Sequence, residues 1–247
     1  MRRLLQVFRS LFWLLFPWLV LLAGVVIFIP LTTEMPGRSY KGPFLPLSDA
    51  EKVALGRVQK HVEVLAGVIG ERNMSHYDAL NEAAQYIQGQ FRVTGLELTD
   101  ERYQVEGKVV RNLIASVQGS TRPEEFIVVG AHYDSVWGSP GANDNATGVA
   151  ALLEIARQIA AGPSPRRSVR FVAFANEEPP YFKTRGMGSS VHARHARQRG
   201  DRIVAMLSLE TIGYYSDSPD SQFFPFHLGL YYPWTGNFIG FVANRES

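Results

Sequence analysis

The 247-residue sequence contains no cysteine. Its absence excludes disulfide bonds and thiolate-ligated zinc sites, and it leaves the redox compartment open. The sequence also lacks an excess of either charge: 25 Lys and Arg stand against 23 Asp and Glu, a formal net charge of +2. Such a balance gives no case for a nucleic-acid partner. There is no GxGxxG pattern and no Lys at P-loop spacing in 138–148, so no phosphate-binding loop is expected.

One long apolar run lies near the N-terminus. Residues 11–29 form an uncharged run of 19 residues. A helix of about this length crosses the core of a bilayer. Arg2, Arg3 and Arg9 precede the run, so the N-terminus is expected in the cytoplasm. We predict a single-pass membrane anchor within residues 1–30, contacting the lipid bilayer through residues 11–29. The alternative is a cleaved signal peptide, but the run exceeds the usual ~7–15 residues and no clear A-x-A site follows.

Composition divides the remainder of the chain in two. Residues 31–46 are rich in Pro and Gly and predict a spacer. Residues 47–247 are expected to form one domain facing the periplasm or the exterior, because the overall 46% hydrophobic content allows one sizeable core.

Hydrophobic spacing predicts alternating helices and strands in this domain. A capping-box pattern at Ser48 and Glu51 predicts the start of a helix that runs to about Leu65. Further helices are predicted over 76–93, 148–161 and 189–199, and strands over 97–105, 109–117, 126–129, 168–175 and 203–209. The pattern predicts an α/β fold: a three-layer sandwich with a mixed, largely parallel sheet and helices on both faces.

Three predicted strands lead into acidic residues or histidine. The strand at 126–129 leads to His132 and Asp134 and then to Asp144. The strand at 168–175 runs into Glu177 and Glu178, and the strand at 203–209 runs into Glu210. Active sites of open α/β sheets gather at strand carboxyl ends, and imidazole with carboxylate suits zinc. Because adjacent carboxylates repel unless a cation compensates them, a metal site is predicted.

The ordered motifs resemble a known family. HxD at 132–134, GANDNATG at 141–148, NEE at 176–178 and a strand ending in Glu210 resemble the co-catalytic zinc exopeptidases related to bacterial leucyl aminopeptidase. Glutamate carboxypeptidases share the set. The resemblance covers roughly Leu47 to the C-terminus. It implies a zinc-dependent exopeptidase that hydrolyses peptide substrates, and it favours an aminopeptidase.

The resemblance also implies the metal ligands. His132 and Glu210 would bind one zinc ion, Glu178 would bind a second, and Asp144 would bridge the two. A cis peptide bond between Asp144 and Asn145 is implied as well.

Two further residues receive catalytic roles from the resemblance. Glu177 would be the general base that takes a proton from the attacking water. Asp134 would accept the other N–H of His132 and so fix the tautomer of the imidazole.

The sequence departs from the family pattern in two places. The family has a further His on the second zinc, but only His227 follows Glu210 here, in an aromatic stretch where a packing role is expected. The domain is therefore expected to be C-terminally incomplete, with one tight zinc site, one weak site and little activity. The segment 179–183 is predicted to form a loop at the rim of the site.

Two other functions remain open at this point. A glutaminyl-cyclase-like enzyme would use the same fold with one zinc ion. A non-catalytic, membrane-anchored binding domain would have an incomplete metal site. Zinc content distinguishes the three possibilities as two, one or no ions. His192 and His195 share one face of a predicted helix, and we expect them on a solvated basic surface rather than at a metal.

Overall fold

The computed structural model describes residues 2–33, 40, 42–224, 229 and 232–243. His227 and part of the predicted spacer lie outside these described residues. The chain divides into two compact units, Met1–Leu45 and Pro46–Ser247.

The first unit contains one long helix, α1 (Arg2–Thr33). Its segment Leu11–Phe28 is long and apolar enough to cross a membrane, and none of that segment is buried. A signal sequence near the N-terminus has the same length and composition.

The described residues of the second unit include four α-helices: α2 (Asp49–Val62), α3 (Tyr77–Arg92), α4 (Gly148–Ala161) and α5 (Gly188–Arg199). The predicted capping box is present at the start of α2: the Ser48 side chain accepts the N–H of Glu51, and the Glu51 carboxylate accepts the N–H of Ser48. The helix ends earlier than predicted, because a π-helical turn, Glu63–Ile69, replaces regular α-helix after Val62.

Five strands form one mixed sheet: β1 (Glu97–Val105), β2 (Lys108–Val117), β3 (Arg122–His132), β4 (Arg167–Phe174) and β5 (Arg202–Ser208). The strand order is β1-β2-β4-β3-β5. The pairs β1/β2 and β2/β4 are antiparallel, whereas β4/β3 and β3/β5 are parallel. The predicted α/β fold with a mixed sheet is confirmed, and its parallel part consists of the three strands that lead into the predicted ligands.

Both faces of the sheet are covered by helices. Alternate residues of β3, such as Val129 and Ala131, join the buried side chains of α3 and α4 in the main core. Val128 points to the other face, where it packs with Ile114, Val172 and Phe174. The ring of His192 on α5 lies 5.8 Å from the Phe174 ring, so α5 covers this second face.

The prediction of a solvated face for His192 is wrong. His192 is buried, and its Nδ1 lies 3.2 Å from Oε2 of Glu101, a buried residue of β1. His195 is more exposed, and its Nδ1 lies 3.0 Å from Oε1 of the same carboxylate. Because a buried carboxylate must be hydrogen-bonded, Glu101 draws both imidazoles toward the sheet. Bonds to His192 and Asn112 lower the pKa of Glu101 to about 2, against the opposing effect of its burial.

Candidate metal centre

The parallel strands bring the predicted ligands to one edge of the sheet. His132, the last residue of β3, lies in register with Phe174, the last residue of β4. On the other side of β3, Gly130 pairs with Ser208 at the end of β5. The acids that follow β4 and β5 therefore flank the imidazole of His132.

The His132 imidazole is buried and faces carboxylates with both ring nitrogens. Its Nε2 is 3.0 Å from Oδ1 of Asp144 and 3.2 Å from Oε1 of Glu210. Oε2 of Glu177 is 3.9 Å from the same nitrogen. Nδ1 lies 3.4 Å from Oδ1 of Asp134. With one nitrogen directed at Asp134, the other is left for the exposed side of the site.

A metal ion fits this group of residues. One ligand atom from each of His132, Asp144 and Glu178 lies within 4.8 Å of the other two. Within the described part of the chain, the buried Oε1 of Glu178 has no hydrogen-bond partner. A buried, unpaired carboxylate oxygen beside other carboxylates is unfavourable unless a cation neutralises it. Imidazole nitrogen with carboxylate oxygen is a donor set that suits zinc.

The pKa values of the site reflect the same crowding of negative charge. Burial raises the pKa of Glu178 to about 7, and the neighbouring Asp144 contributes to the increase. Burial alone would lower the pKa of His132, but the nearby carboxylate of Asp134 and the hydrogen bonds to Asp144 and Glu210 raise it to about 12. Burial also raises the pKa of Glu177. The imidazolium is thus the counter-charge of the carboxylates when no metal is bound.

Asp134 connects the ends of β3 and β4. Its buried carboxylate accepts the backbone N–H of Glu177 at 3.1 Å and that of Glu178 at 3.0 Å. The same carboxylate faces Nδ1 of His132. One side chain therefore sets the position of the imidazole and of the Glu177–Glu178 pair.

Asn145 connects the loop before α4 to the end of β5, a role that sequence reasoning missed. Its amide donates to the carbonyl of Leu209 at 2.8 Å and accepts the N–H of Gly148 at 3.0 Å and of Thr211 at 3.3 Å. The peptide bond between Asp144 and Asn145 is cis, as the resemblance implied.

Arg72, which the sequence analysis also missed, is fully buried beneath the site. The nitrogens of its guanidinium lie within hydrogen-bond distance of five backbone carbonyls, those of Leu65, Gly70, Tyr133, Pro140 and Gly141, and three of these share the two hydrogens of Nη1. Tyr133 lies between His132 and Asp134, and Gly141 begins the loop that carries Asp144. Arg72 therefore holds the backbone of two ligand-bearing segments.

A cavity of about 390 Å³ lies beside the carboxylates. Glu178 and Asp134 line it, and the predicted rim loop contributes Pro179, Pro180 and Tyr181. The site thus has room for a ligand next to the group that could hold a metal.

Comparison with known proteins supports the family resemblance. Residues 112–234 match Peptidase family M28. The Escherichia coli protein YfbL is 36% identical over 199 residues, which cover 77% of this chain and 60% of the relative. Aminopeptidase YwaD of Bacillus subtilis is 41% identical over 90 residues, covering 36% of this chain and 18% of that protein. The chain thus spans less than two thirds of the length of these relatives.

Solved structures show the same fold. BSAP, a zinc aminopeptidase from Bacillus subtilis, aligns with a TM-score of 0.57 at 16% identity, over 68% of this chain and 73% of that chain. A glutaminyl cyclase from Bacteroides thetaiotaomicron aligns with a TM-score of 0.52 at 22% identity, over 69% and 64%. Such likenesses show the fold alone, which both kinds of enzyme share. All the ordered motifs, from His132 to Glu210, lie inside the segment 112–234 that matches Peptidase family M28, which supports a co-catalytic zinc exopeptidase family.

Proposed function

We propose that this chain is a membrane-tethered, zinc-dependent aminopeptidase. The observation that carries the proposal is the convergence of His132, Asp144 and Glu178 within 4.8 Å at the ends of parallel strands. The match of residues 112–234 to a peptidase family supports peptide hydrolysis. The sequence relationship to an aminopeptidase favours cleavage at the amino end of the substrate.

The proposed ligand sets share one carboxylate. His132 and Glu210 would hold one zinc ion, Glu178 would hold another, and Asp144 would belong to both sets. Asp134 beside Nδ1 leaves Nε2 of His132 as the donor for the ion. When bound, zinc supplies a Lewis acid that polarises the scissile carbonyl and lowers the pKa of water.

Glu177 is the proposed general base. It stands beside the ligand group, with its Oε2 3.9 Å from Nε2 of His132, and burial raises its pKa above the usual carboxylate value. A raised pKa makes a carboxylate a better proton acceptor. Glu177 removes a proton from the water that attacks the carbonyl carbon, and it delivers that proton to the amine nitrogen as the C–N bond breaks. Asp134 orients this base through the backbone N–H of Glu177.

The two ligand sets are unequal in the part of the chain that the structure describes. The first has the imidazole of His132 with two carboxylates, whereas the second has only Glu178 and the shared Asp144. We therefore expect one tightly bound zinc ion and a second that a chelator removes readily. Calorimetric titration with zinc checks this, and two equally tight sites would contradict it.

The proposed tether is the helical segment Leu11–Phe28. With Arg9 and the arginines before it in the cytoplasm, the second unit would lie in the periplasm or outside the cell. Membrane fractions washed with alkaline carbonate should retain the protein with its N-terminus intact. Recovery of a soluble product that begins after residue 28 would instead identify a signal peptide.

Two isosteric substitutions test the proposed chemistry. Glu177→Gln should keep zinc and lower hydrolysis of leucine 4-nitroanilide by about 10²–10⁴-fold, because it removes only the base. Glu178→Gln should weaken zinc binding as well. Glu82→Gln, at an exposed position of α3, is the matched control and should change neither property. Wild-type activity in Glu177→Gln would refute the mechanism.

A further inference from the structure

Asn176 has an unusual environment between β4 and Glu177. Its side chain is buried, and the residue is only 1% exposed. Yet, among the described residues, neither Oδ1 nor Nδ2 has a hydrogen-bond partner. Buried amides without partners are rare in folded proteins. The proposed mechanism gives this side chain no role.

Asn176 is one of the residues that line the cavity beside the metal centre. Asp134 and Glu178 line the same cavity of about 390 Å³, together with Trp137, Pro179 and other residues. This volume is within the usual range of small-ligand pockets, about 300–1,000 Å³. The residue that carries the unsatisfied donor and acceptor thus lies at the wall of a space large enough for a ligand.

A primary carboxamide is complementary to a peptide unit, since each has an N–H donor and a carbonyl acceptor. We propose that Asn176 binds the backbone of the substrate at the peptide unit next to the one that is cleaved. Nδ2 donates to the carbonyl of that unit, and Oδ1 accepts its N–H. This inference rests on the proposed peptidase function and extends it. The contact with Asn176 would favour substrates that have at least two peptide units.

The position of Asn176 in the chain favours the neighbouring unit over the cleaved one. Glu177 acts at the bond that is cleaved, and Asn176 is one residue away. Consecutive Cα atoms lie about 3.8 Å apart, and an extended substrate advances about 3.3–3.6 Å per residue. The spacing between Asn176 and Glu177 along the protein backbone is therefore similar to the spacing between successive residues of an extended substrate.

The backbone suggests the variant that isolates the amide. Asn176 has a φ of 58°, in the left-handed region that glycine adopts freely and alanine does not. Asn176→Gly should therefore remove the carboxamide without straining the backbone. Since the amide makes no hydrogen bond within the described residues, its removal should not lower the unfolding midpoint.

Asn73 provides a matched control, because it lines the same cavity with a satisfied amide. Its Nδ2 donates to Glu71 and to the carbonyl of Ser135, and its Oδ1 accepts the N–H of Ser75 and His76. Asn73→Gly should lower the unfolding midpoint and should not discriminate between ligands by length.

The test measures binding by calorimetry in the zinc-loaded full chain in detergent, with Glu177→Gln as background to prevent turnover. The probes are the tripeptide Leu-Gly-Gly, with two peptide units, and leucinamide, with one amide unit. Asn176→Gly should raise the Kd of the tripeptide about tenfold, the effect of one or two hydrogen bonds, and change that of leucinamide by less than about twofold.

Equal changes for both probes, or no change for either, would overturn the inference. So would a parent protein that binds the tripeptide no more tightly than leucinamide. The peptidase proposal is judged separately, by hydrolysis of Leu-Gly-Gly in the chain with Glu177 intact. Selective loss of tripeptide binding without any such hydrolysis would keep Asn176 as a peptide-binding residue and refute the peptidase function.

Discussion

Replacement of Arg72 by methionine should be among the most damaging changes in this protein. Arg72→Met keeps a long, unbranched side chain and removes every hydrogen-bond donor. Burial lowers the pKa of Arg72 to about 10, and the nearby Asp134 and Asp144 oppose that decrease. The side chain is therefore charged at neutral pH, and it is a hydrogen-bond donor to the backbone carbonyls around it.

The size of the effect follows from the number of bonds lost. Five backbone carbonyls lose a donor when Arg72 becomes Met. The carbonyls of Leu65 and Gly141 still accept the N–H of Gly70 and of Ala146, so three are left without this partner. A buried group left without its partner costs about 1–3 kcal/mol. At the lower end of that range, the free energy of unfolding should fall by about 3 kcal/mol. Most single substitutions cost about 0.5–3 kcal/mol, so the change should lie at or above the top of that range.

The assay is urea-induced unfolding of the full chain in detergent, followed by circular dichroism. Arg102→Met is the control, because Arg102 is 65% exposed in its side chain and pairs with Asp100 on the surface at 2.8 Å. Surface pairs contribute about 0–1 kcal/mol, so this variant should unfold nearly as the wild type does. Arg72→Lys should fall between the two, since an ammonium group cannot reach five carbonyls at once. If Arg72→Met unfolds at the same urea concentration as Arg102→Met, the assigned role of Arg72 is wrong.

Two other expectations concern proton release and packing. Zinc binding to the metal-free chain should release about two protons near pH 6 and about one near pH 9, because burial raises the pKa of Glu178 to about 7 and the carboxylates around His132 raise its pKa to about 12. Calorimetry in buffers of different ionisation enthalpy measures the count, and a value independent of pH would contradict the assignment. Gly148→Ala should destabilise the fold by at least about 1–3 kcal/mol, since the new Cβ meets the Asn145 side chain and the Leu209 carbonyl. Gly89→Ala, a helical position with nothing within 4 Å of the new Cβ, should instead stabilise it by about 0.5–1 kcal/mol in thermal unfolding.

Much of the scaffold could be predicted because its signals are local. The apolar spacing at 148–161 predicts the limits of α4, and the strand predicted at 97–105 has the limits of β1. The limits of β5 were predicted to within one residue, whereas β3 begins four residues before the predicted apolar run and ends three residues after it. Parallel strands end at one edge of a sheet, so the approach of His132 to Glu210 followed from the same reasoning.

The supporting residues could not be predicted in this way, because their roles depend on distant parts of the chain. The polar sequence around Arg72 suggests a surface residue. Its hydrogen-bond partners, however, include carbonyls more than 60 positions from it in the sequence. The amide of Asn145 is explained only by the end of β5. His192 was misplaced because its own helix is basic, whereas its partner Glu101 is 91 positions away.

Because His132 and Glu210 are far apart in the sequence, a metal ion bound by both would also stabilise the fold. The two side chains meet at 3.2 Å across 78 positions of the chain. An ion shared between them would act as a removable cross-link that closes this long loop, and its loop-closure entropy would oppose unfolding. Because the ion binds the folded chain and not the separated ligands, its concentration would set how firmly β5 is held against β3. Loss of zinc would then loosen β5 at the edge of the sheet and would also abolish the proposed hydrolysis.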